Sequence, residues 1–215
     1  MINNKEEYRK FLLNNFKWLE IKKPLFYNWD IWIRFNLQWK ETPRKECDYF
    51  NDDYFSDVQN KAIQLMESSF SFEDRVLVVV KSFKSDKKKI RKSNYIFKQF
   101  LDLDRKDIIF NKINGVYDSD DLYNEAIIGA KFWDVNCLNL LVWISYQDFF
   151  GLKLNPRIGE EVYFLNLSRN LIFHMYDDRG LDIIASDKNT LKPIYDKYNK
   201  WILNYDREKI DMVFK

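Results

Sequence analysis

The sequence has few of the residues that build phosphate-binding loops, metal sites and disordered linkers. Its 215 residues include one histidine, two cysteines, five glycines and four prolines. Five scattered glycines assemble neither a P-loop nor a GxGxxG fingerprint. Scarce Gly and Pro beside 46% hydrophobic residues also argue against disorder. We therefore expect a folded chain that uses no cofactor and no metal.

Cysteine pairs, membrane spans and signal peptides are missing as well. Cys47 and Cys137 lie far apart without a CxxC motif, so we expect reduced core thiols. The longest apolar runs, 76–80 and 140–144, are much shorter than the roughly 20 residues that cross a bilayer. The N-terminus carries acidic residues and no signal-peptide core. These features predict a cytoplasmic protein without membrane contact.

Charge is nearly balanced overall, at +2, but it is segregated along the chain. Residues 81–106 hold ten Lys or Arg against three Asp, and residues 41–57 hold six acids against two bases. The first run could contact nucleic acid and the second a charged protein partner, although both are also typical of solvated surfaces. The basic candidates are Lys87, Lys88, Lys89, Arg91 and Lys92, and the acidic-aromatic candidates are Asp48, Tyr49, Asp52, Asp53 and Tyr54.

Hydrophobic spacing predicts an α+β protein with a mainly antiparallel sheet. Apolar residues at helical spacing indicate helices over 5–16 and 53–70. Alternation of apolar with polar residues in "DIWIRFNLQW" (30–39) predicts a strand, and the β-branched run that ends at Phe83 predicts a buried strand. A short helix is predicted at 94–101, strands at 107–113 and 125–135, and loops at 114–121 and 150–160. The hydrophobic pattern at 136–150 favours a buried helix, although it is also compatible with a strand.

The C-terminal part predicts a three-stranded meander over 161–186, followed by a helix over 188–206. Together these elements predict one domain over residues 1–215 with four or five helices. Gly180 suits the left-handed third position of a three-residue hairpin loop, which would place Asp177 opposite Leu181. Phe173, Met175, Leu181, Ile183 and Ala185 would then share the buried face, whereas His174, Tyr176 and Asp182 would lie on the other face.

The stretch "HMYDDRGLDII" (174–184) gathers the only histidine with three aspartates and an arginine. His174 beside Asp182 resembles half of a catalytic triad, but no nucleophile motif such as GxSxG occurs. Aspartates could bind Mg²⁺ or Mn²⁺, yet Asp is also common in turns. A structural hairpin is therefore favoured over a binding or catalytic site. The candidate binding residues are Arg34, His174, Tyr176, Asp177, Asp178, Arg179 and Asp182.

Arg34 lies in the middle of an otherwise apolar strand. A buried, unpaired guanidinium is costly, so Arg34 should reach solvent or find a carboxylate. We expect either Asp177 or Asp182 as its partner, or stacking on Trp32 at a solvated face.

Three stretches carry a resemblance to a known family: "NWDIWIRFNL" (28–37), "EVYFLN" (161–166) and "HMYDDRGLDIIASDKNTLKPIYDKYNKWIL" (174–203). The chain resembles the bacterial family known as domain of unknown function 3885, whose members carry IRFEL-like and DDRG-like stretches. Asn36 departs from the family pattern, which favours Glu there. The resemblance implies a compact bacterial single-domain protein, of a kind often found among cytosolic immunity proteins and phage or defence genes.

Three functions follow as hypotheses. The first is a non-enzymatic protein–protein interaction module, such as an immunity or inhibitor protein whose partner is a toxin or a defence component. The segregated charge and the aromatic residues among the acidic residues of 46–57 support this hypothesis, because protein interfaces are rich in aromatic residues. The second is a metal-dependent phosphodiesterase or nuclease that uses the aspartates near the DDRG turn. The third is a nucleic-acid-binding protein without catalytic activity.

Overall fold

A computed structural model describes residues 3–38, 42–44, 50–83, 95–149 and 159–215. Within these ranges the chain is an α+β protein built on one antiparallel sheet. The strands are β1 (Trp32–Asn36), β2 (Arg75–Phe83), β3 (Ile108–Asn114), β4 (Leu122–Lys131), β5 (Glu161–Asn166), β6 (Leu171–Met175) and β7 (Gly180–Ala185). The α-helices are α1 (Asn4–Phe16), α2 (Asp52–Ser69), α3 (Cys137–Ser145), α4 (Lys188–Lys197) and α5 (Arg207–Phe214).

The sheet has seven strands in the order β1-β7-β6-β5-β2-β4-β3. The meander β5-β6-β7 joins the β2-β4-β3 half to the edge strand β1, and every neighbouring pair is antiparallel. On one face, the apolar side chains predicted to be buried, including Phe173 and Ile183, form the core with α2 and α4. The predicted meander and its core face are therefore confirmed.

The second sheet face is buried too, which corrects our expectation for His174 and Asp182. Helix α1 contacts β3 and β4, and the short 3-10 helix Leu25–Asn28 contacts β1 and β7. The indole N–H of Trp29 donates to the carbonyl of Ala185 at 2.7 Å. Residues 4–29, here called the N-terminal segment, thus fold over the sheet, and for this reason His174 and Asp182 are 1% and 0% exposed.

The turn between β6 and β7 differs from the prediction. Gly180 does not have positive φ, and Leu181 lies opposite Met175 instead of Asp177. The backbone N–H of Tyr176 donates to the carbonyl of Gly180 at 3.2 Å, so Asp177, Asp178 and Arg179 form the loop. The register moves by two residues, an even number, and for that reason the predicted division of side chains between the two faces is preserved.

Gly180 is required here by close approach. A Cβ at this position would collide with the ring and hydroxyl of Tyr176 and lie 3.1 Å from the carbonyl oxygen of Phe35. The glycine therefore lets the Tyr176 side chain cross directly over the start of β7.

Two predictions about helices are resolved. Segment 136–150 contains a helix, α3, capped by the side chain of Asn136. The single helix predicted over 188–206 is wrong, since α4 ends at Lys197 and the 3-10 turns Asn199–Trp201 and Asn204–Asp206 lead into α5. The side chain of Asp187 caps α4 by accepting a hydrogen bond from the backbone N–H of Asn189. The predicted loop at 114–121 is found at 115–121, since Asn114 is the last residue of β3. Most of 150–160 and Cys47 lie outside the described residues.

Candidate functional site

Arg34 and Asp182 lie opposite each other on β1 and β7. The Nε atom of Arg34 is 3.7 Å from Oδ1 of Asp182. Nε and Nη2 of Arg34 donate to the hydroxyl of Tyr176 at 3.0 and 2.7 Å. The guanidinium also stacks 4.2 Å from the centroid of the Phe26 ring. The sequence-based expectation of a carboxylate partner is thus met by Asp182, and the rings that hold Arg34 are Phe26 and Tyr176, not Trp32.

The environment of this ion pair is strongly desolvating. Burial raises the pKa of Asp182 to about 7, although the charge of Arg34 and the backbone N–H groups of Phe26 and Leu25 oppose the shift. A second buried carboxylate, Asp206, raises it further. Arg34 therefore lies among two carboxylates, a hydroxyl and two rings.

Asp206 was not identified from the sequence. It precedes α5 as its N-cap residue, yet its side chain does not cap the helix. Neither of its carboxylate oxygens has a hydrogen-bond partner among the residues that the structure describes. An aspartate at the start of a helix is usually an N-cap residue, so the sequence around Asp206 does not indicate that it lies in a buried site.

His174 lies directly opposite Asp182 on β6. Its Nδ1 is 3.0 Å from the carbonyl oxygen of Val162, and its ring stacks on Tyr163 with centroids 4.0 Å apart. Burial lowers the pKa of His174 to about 3. The imidazole is therefore neutral near pH 7 and shielded from solvent, which is unsuitable for a general base that must reach a substrate.

The loop aspartates pair with other side chains of the chain. Asp177 accepts hydrogen bonds from the backbone N–H and the Nε of Arg179, at 2.7 and 2.8 Å. Asp178 accepts a hydrogen bond from the hydroxyl of Tyr54 on α2. Arg179 also bridges to Asp148 at 3.2 Å. Both loop aspartates are only 3% exposed, so these contacts compensate carboxylates that water cannot reach.

Three of these carboxylates are close enough together to suggest a cation site. One oxygen each of Asp148, Asp177 and Asp178 lies within 4.8 Å of the others. His174 and Asp182 do not join this group. Because Arg179 contacts two of the carboxylates and Tyr54 the third, the chain itself supplies their positive charge and hydrogen bonds. The arrangement supports a structural role for the turn.

A row of polar side chains continues across the same sheet face. Lys81 on β2 lies opposite Glu125 on β4 and Glu161 on β5. Lys81 and Glu125 are each 3% exposed, and the ammonium group of Lys81 donates to the carbonyl of Ile21. Tyr163, whose ring stacks on His174, donates its hydroxyl to Glu161 at 2.7 Å. This contact connects the Lys81 cluster to the Arg34, Asp182 and His174 side chains on the same sheet face.

The two predicted charged surfaces are only partly described. Tyr54 is 3% exposed and bonds to Asp178, so its ring cannot form part of an exposed acidic-aromatic surface. Asp52 and Asp53 are exposed in the first turn of α2. Asp48 and Tyr49, together with Lys87, Lys88, Lys89, Arg91 and Lys92, lie outside the described residues.

The fold and the site define a class of α+β protein in which an Arg–Asp pair links the edge strand β1 to β7 and an aspartate-rich turn is held by Tyr54 and Arg179. The chain belongs to the family described as domain of unknown function (DUF3885), whose model matches residues 8–206. It is similar to the uncharacterized protein YnaE of Bacillus subtilis (strain 168), with 25% identity over 215 residues, covering 91% of this chain and 96% of YnaE. No solved structure matches the chain. Among the described residues, no helix is both long and apolar enough to span a membrane.

Proposed function

We propose that the chain is a non-enzymatic protein-interaction module of the immunity or inhibitor type, which acts in the bacterial cytoplasm on a toxin or a defence component. Two features support the proposal. The charged residues of the DDRG turn are occupied by contacts within the chain, and an aromatic surface is exposed elsewhere.

That surface consists of Phe72, Glu73, Lys131 and Trp133, here called the Phe72–Trp133 patch. The two rings have centroids 5.1 Å apart and are 62% and 47% exposed. Lys131 forms an ion pair with Glu73 at 2.7 Å, and its Nζ lies 5.6 Å from the centroid of Trp133. Large exposed rings between opposite charges resemble the centre and rim of a protein interface.

The backbone of the patch is fixed by hydrogen bonds. The N–H of Trp133 donates to the carbonyl of Phe72 at 3.2 Å, and the N–H of Phe132 donates to the backbone carbonyl of Asp74 at 2.9 Å. A preformed surface loses little conformational entropy on binding. Tryptophan is also enriched among residues that dominate binding energy. The exposed contact between Phe72 and Trp133 is the observation that carries the proposal.

The experiment uses the proteins encoded by the genes beside this one. Each is expressed in a host where it is toxic, with and without the full chain, and growth and affinity of the purified pair are measured. We expect one neighbour to be neutralised and bound. Phe72→Ser combined with Trp133→Ser should weaken the affinity by about 30-fold or more, as for the loss of a binding hot spot.

A matched control is Tyr205→Ser, because Tyr205 is 83% exposed and lies outside the patch; this variant should bind like the parent. Unchanged affinity in the double variant would reject the patch. Failure of every neighbour to bind, or cleavage of nucleic acid by the purified chain, would reject the interaction module.

A further inference from the structure

The two edge strands of the sheet, β1 and β3, differ in whether another segment of the described chain covers their outer side. At β1, residue Phe35 forms a bridge with Ile202, and the N–H of Leu203 donates to the carbonyl of Arg34 at 2.9 Å. The segment before α5 therefore covers that edge. At the opposite edge, β4 is the only strand paired with β3 among the residues that the structure describes.

An outer strand with one neighbour presents backbone N–H and C=O groups to a further strand. β3 spans seven residues, Ile108–Asn114, and its solvent-facing side chains include Phe110, which is 43% exposed. The strand is anchored on its inner side by β4 and at its start by the side chain of Asn4, which donates to the carbonyl of Asp107 at 2.8 Å. The edge is thus long, regular and held in place.

The sequence of β3 is self-complementary about its midpoint, Asn111. In an antiparallel pair of two copies centred there, Phe110 of each copy lies opposite Lys112 of the other, and Ile109 lies opposite Ile113. An ammonium group beside an aromatic ring and an aliphatic pair are both favourable. Centring the pair on Lys112 would instead place two like charges opposite each other, which is unfavourable.

We propose that two copies of this chain pair through β3, antiparallel and about a two-fold axis at Asn111, so that one sheet continues through both. This register uses all seven residues of the strand. An edge of this length buries less surface than a standard protein interface. The dimer should therefore be weak and reversible, forming as the concentration rises.

Sedimentation velocity over low to several hundred micromolar protein tests the pairing. The weight-average mass of the parent should rise from 26.3 kDa toward twice that value. Phe110→Lys places a lysine opposite Lys112 of the other copy and should remain monomeric. Phe110→Glu places a carboxylate there and should dimerise at least as tightly as the parent, which a general loss of hydrophobic contact would not produce.

Tyr205→Lys, at a site 83% exposed and far from β3 in sequence, controls for added charge and should dimerise like the parent. Circular dichroism should show the same unfolding temperature for both Phe110 variants. A parent that stays monomeric throughout would overturn the proposal. Dimerisation of Phe110→Lys with the parent's affinity would overturn it equally.

Discussion

Asp182 is the direct cross-strand neighbour of both Arg34 on β1 and His174 on β6. This buried carboxylate consequently lies between a cation and a neutral imidazole, on the sheet face that the N-terminal segment covers. Because Asp182 and His174 are both buried, their protonation should affect the free energy of unfolding.

Asp182 and His174 should oppose each other in the pH dependence of stability. Burial raises the pKa of Asp182 to about 7, above the unfolded value of about 4. Between these values only the folded state keeps the proton, so stability falls as the pH rises. The pKa of His174 is lowered to about 3, below about 6.5 in the unfolded state. Between these two pKa values only the unfolded state binds the proton, so His174 makes the stability rise with pH.

Removing either group should therefore expose the effect of the other. Between about pH 4.5 and 6, Asp182→Asn should make the free energy of unfolding rise, relative to the parent, by about 1.4 kcal/mol per pH unit. His174→Gln should shift the slope by a similar amount in the opposite sense. Urea unfolding at several pH values measures both slopes. Variants that keep the parent's slope would show that neither group titrates differently on folding.

Gly180→Ala should destabilise the fold because its Cβ would collide with Tyr176. Forcing extra atoms into a packed site costs about 1–3 kcal/mol, which lowers the unfolding temperature by roughly 2–4 °C per kcal/mol for a chain of this size. Gly159→Ala is the control, since nothing lies within 4 Å of a Cβ there. Equal unfolding temperatures for the two variants would contradict the packing seen at Gly180.

The turn between β6 and β7 also shows which structural features the sequence pattern predicts and which it does not. Period-two alternation correctly assigned β1 and the division of the meander's side chains between its two faces, because successive side chains of a strand point to opposite faces. The loop conformation was wrong, since a DDRG sequence fits more than one three-residue loop. The close approach of the Tyr176 ring to Gly180, which depends on tertiary packing, selected the observed one.

The contacts of the site were less predictable than its strands. A carboxylate partner for Arg34 followed from the cost of burying an unpaired charge. Phe26 and Asp206 were missed, and Tyr54 was assigned to an exposed partner surface, because all three reach this site from distant segments of the chain. Burial of His174 depends on the N-terminal segment folding over the sheet, and no periodicity within β6 reports that contact.

Tyr54→Phe tests the link between α2 and the turn. Removing the hydroxyl leaves the buried Asp178 carboxylate with the longer hydrogen bond from Nε2 of Gln38, at 3.5 Å, and the loss of the Tyr54 hydrogen bond should cost about 1–3 kcal/mol of stability. The loss should be smaller in an Asp178→Asn background, because the two residues share one interaction. Chemical denaturation of the four proteins in this double-mutant cycle gives the coupling energy. A coupling energy near zero would show that the two side chains do not interact in solution.

Metal binding at the turn should be absent despite the three close carboxylates. Arg179 already compensates Asp148 and Asp177, and a cation would have to displace it. Isothermal titration of the parent with Mn²⁺ should show no saturable heat. Saturable binding that disappears in Asp148→Asn would mean that the aspartates are ligands.

The most direct test of a structural turn is the free energy of unfolding of Asp177→Asn. If Asp177 holds the loop through the backbone and guanidinium of Arg179, loss of its charge should lower the stability by about 1.5–3 kcal/mol, the range for hydrogen bonds to charged groups. If the aspartates instead form a metal site, removing one charge relieves repulsion in the metal-free protein. Stability that is unchanged or higher in Asp177→Asn would therefore contradict the structural account.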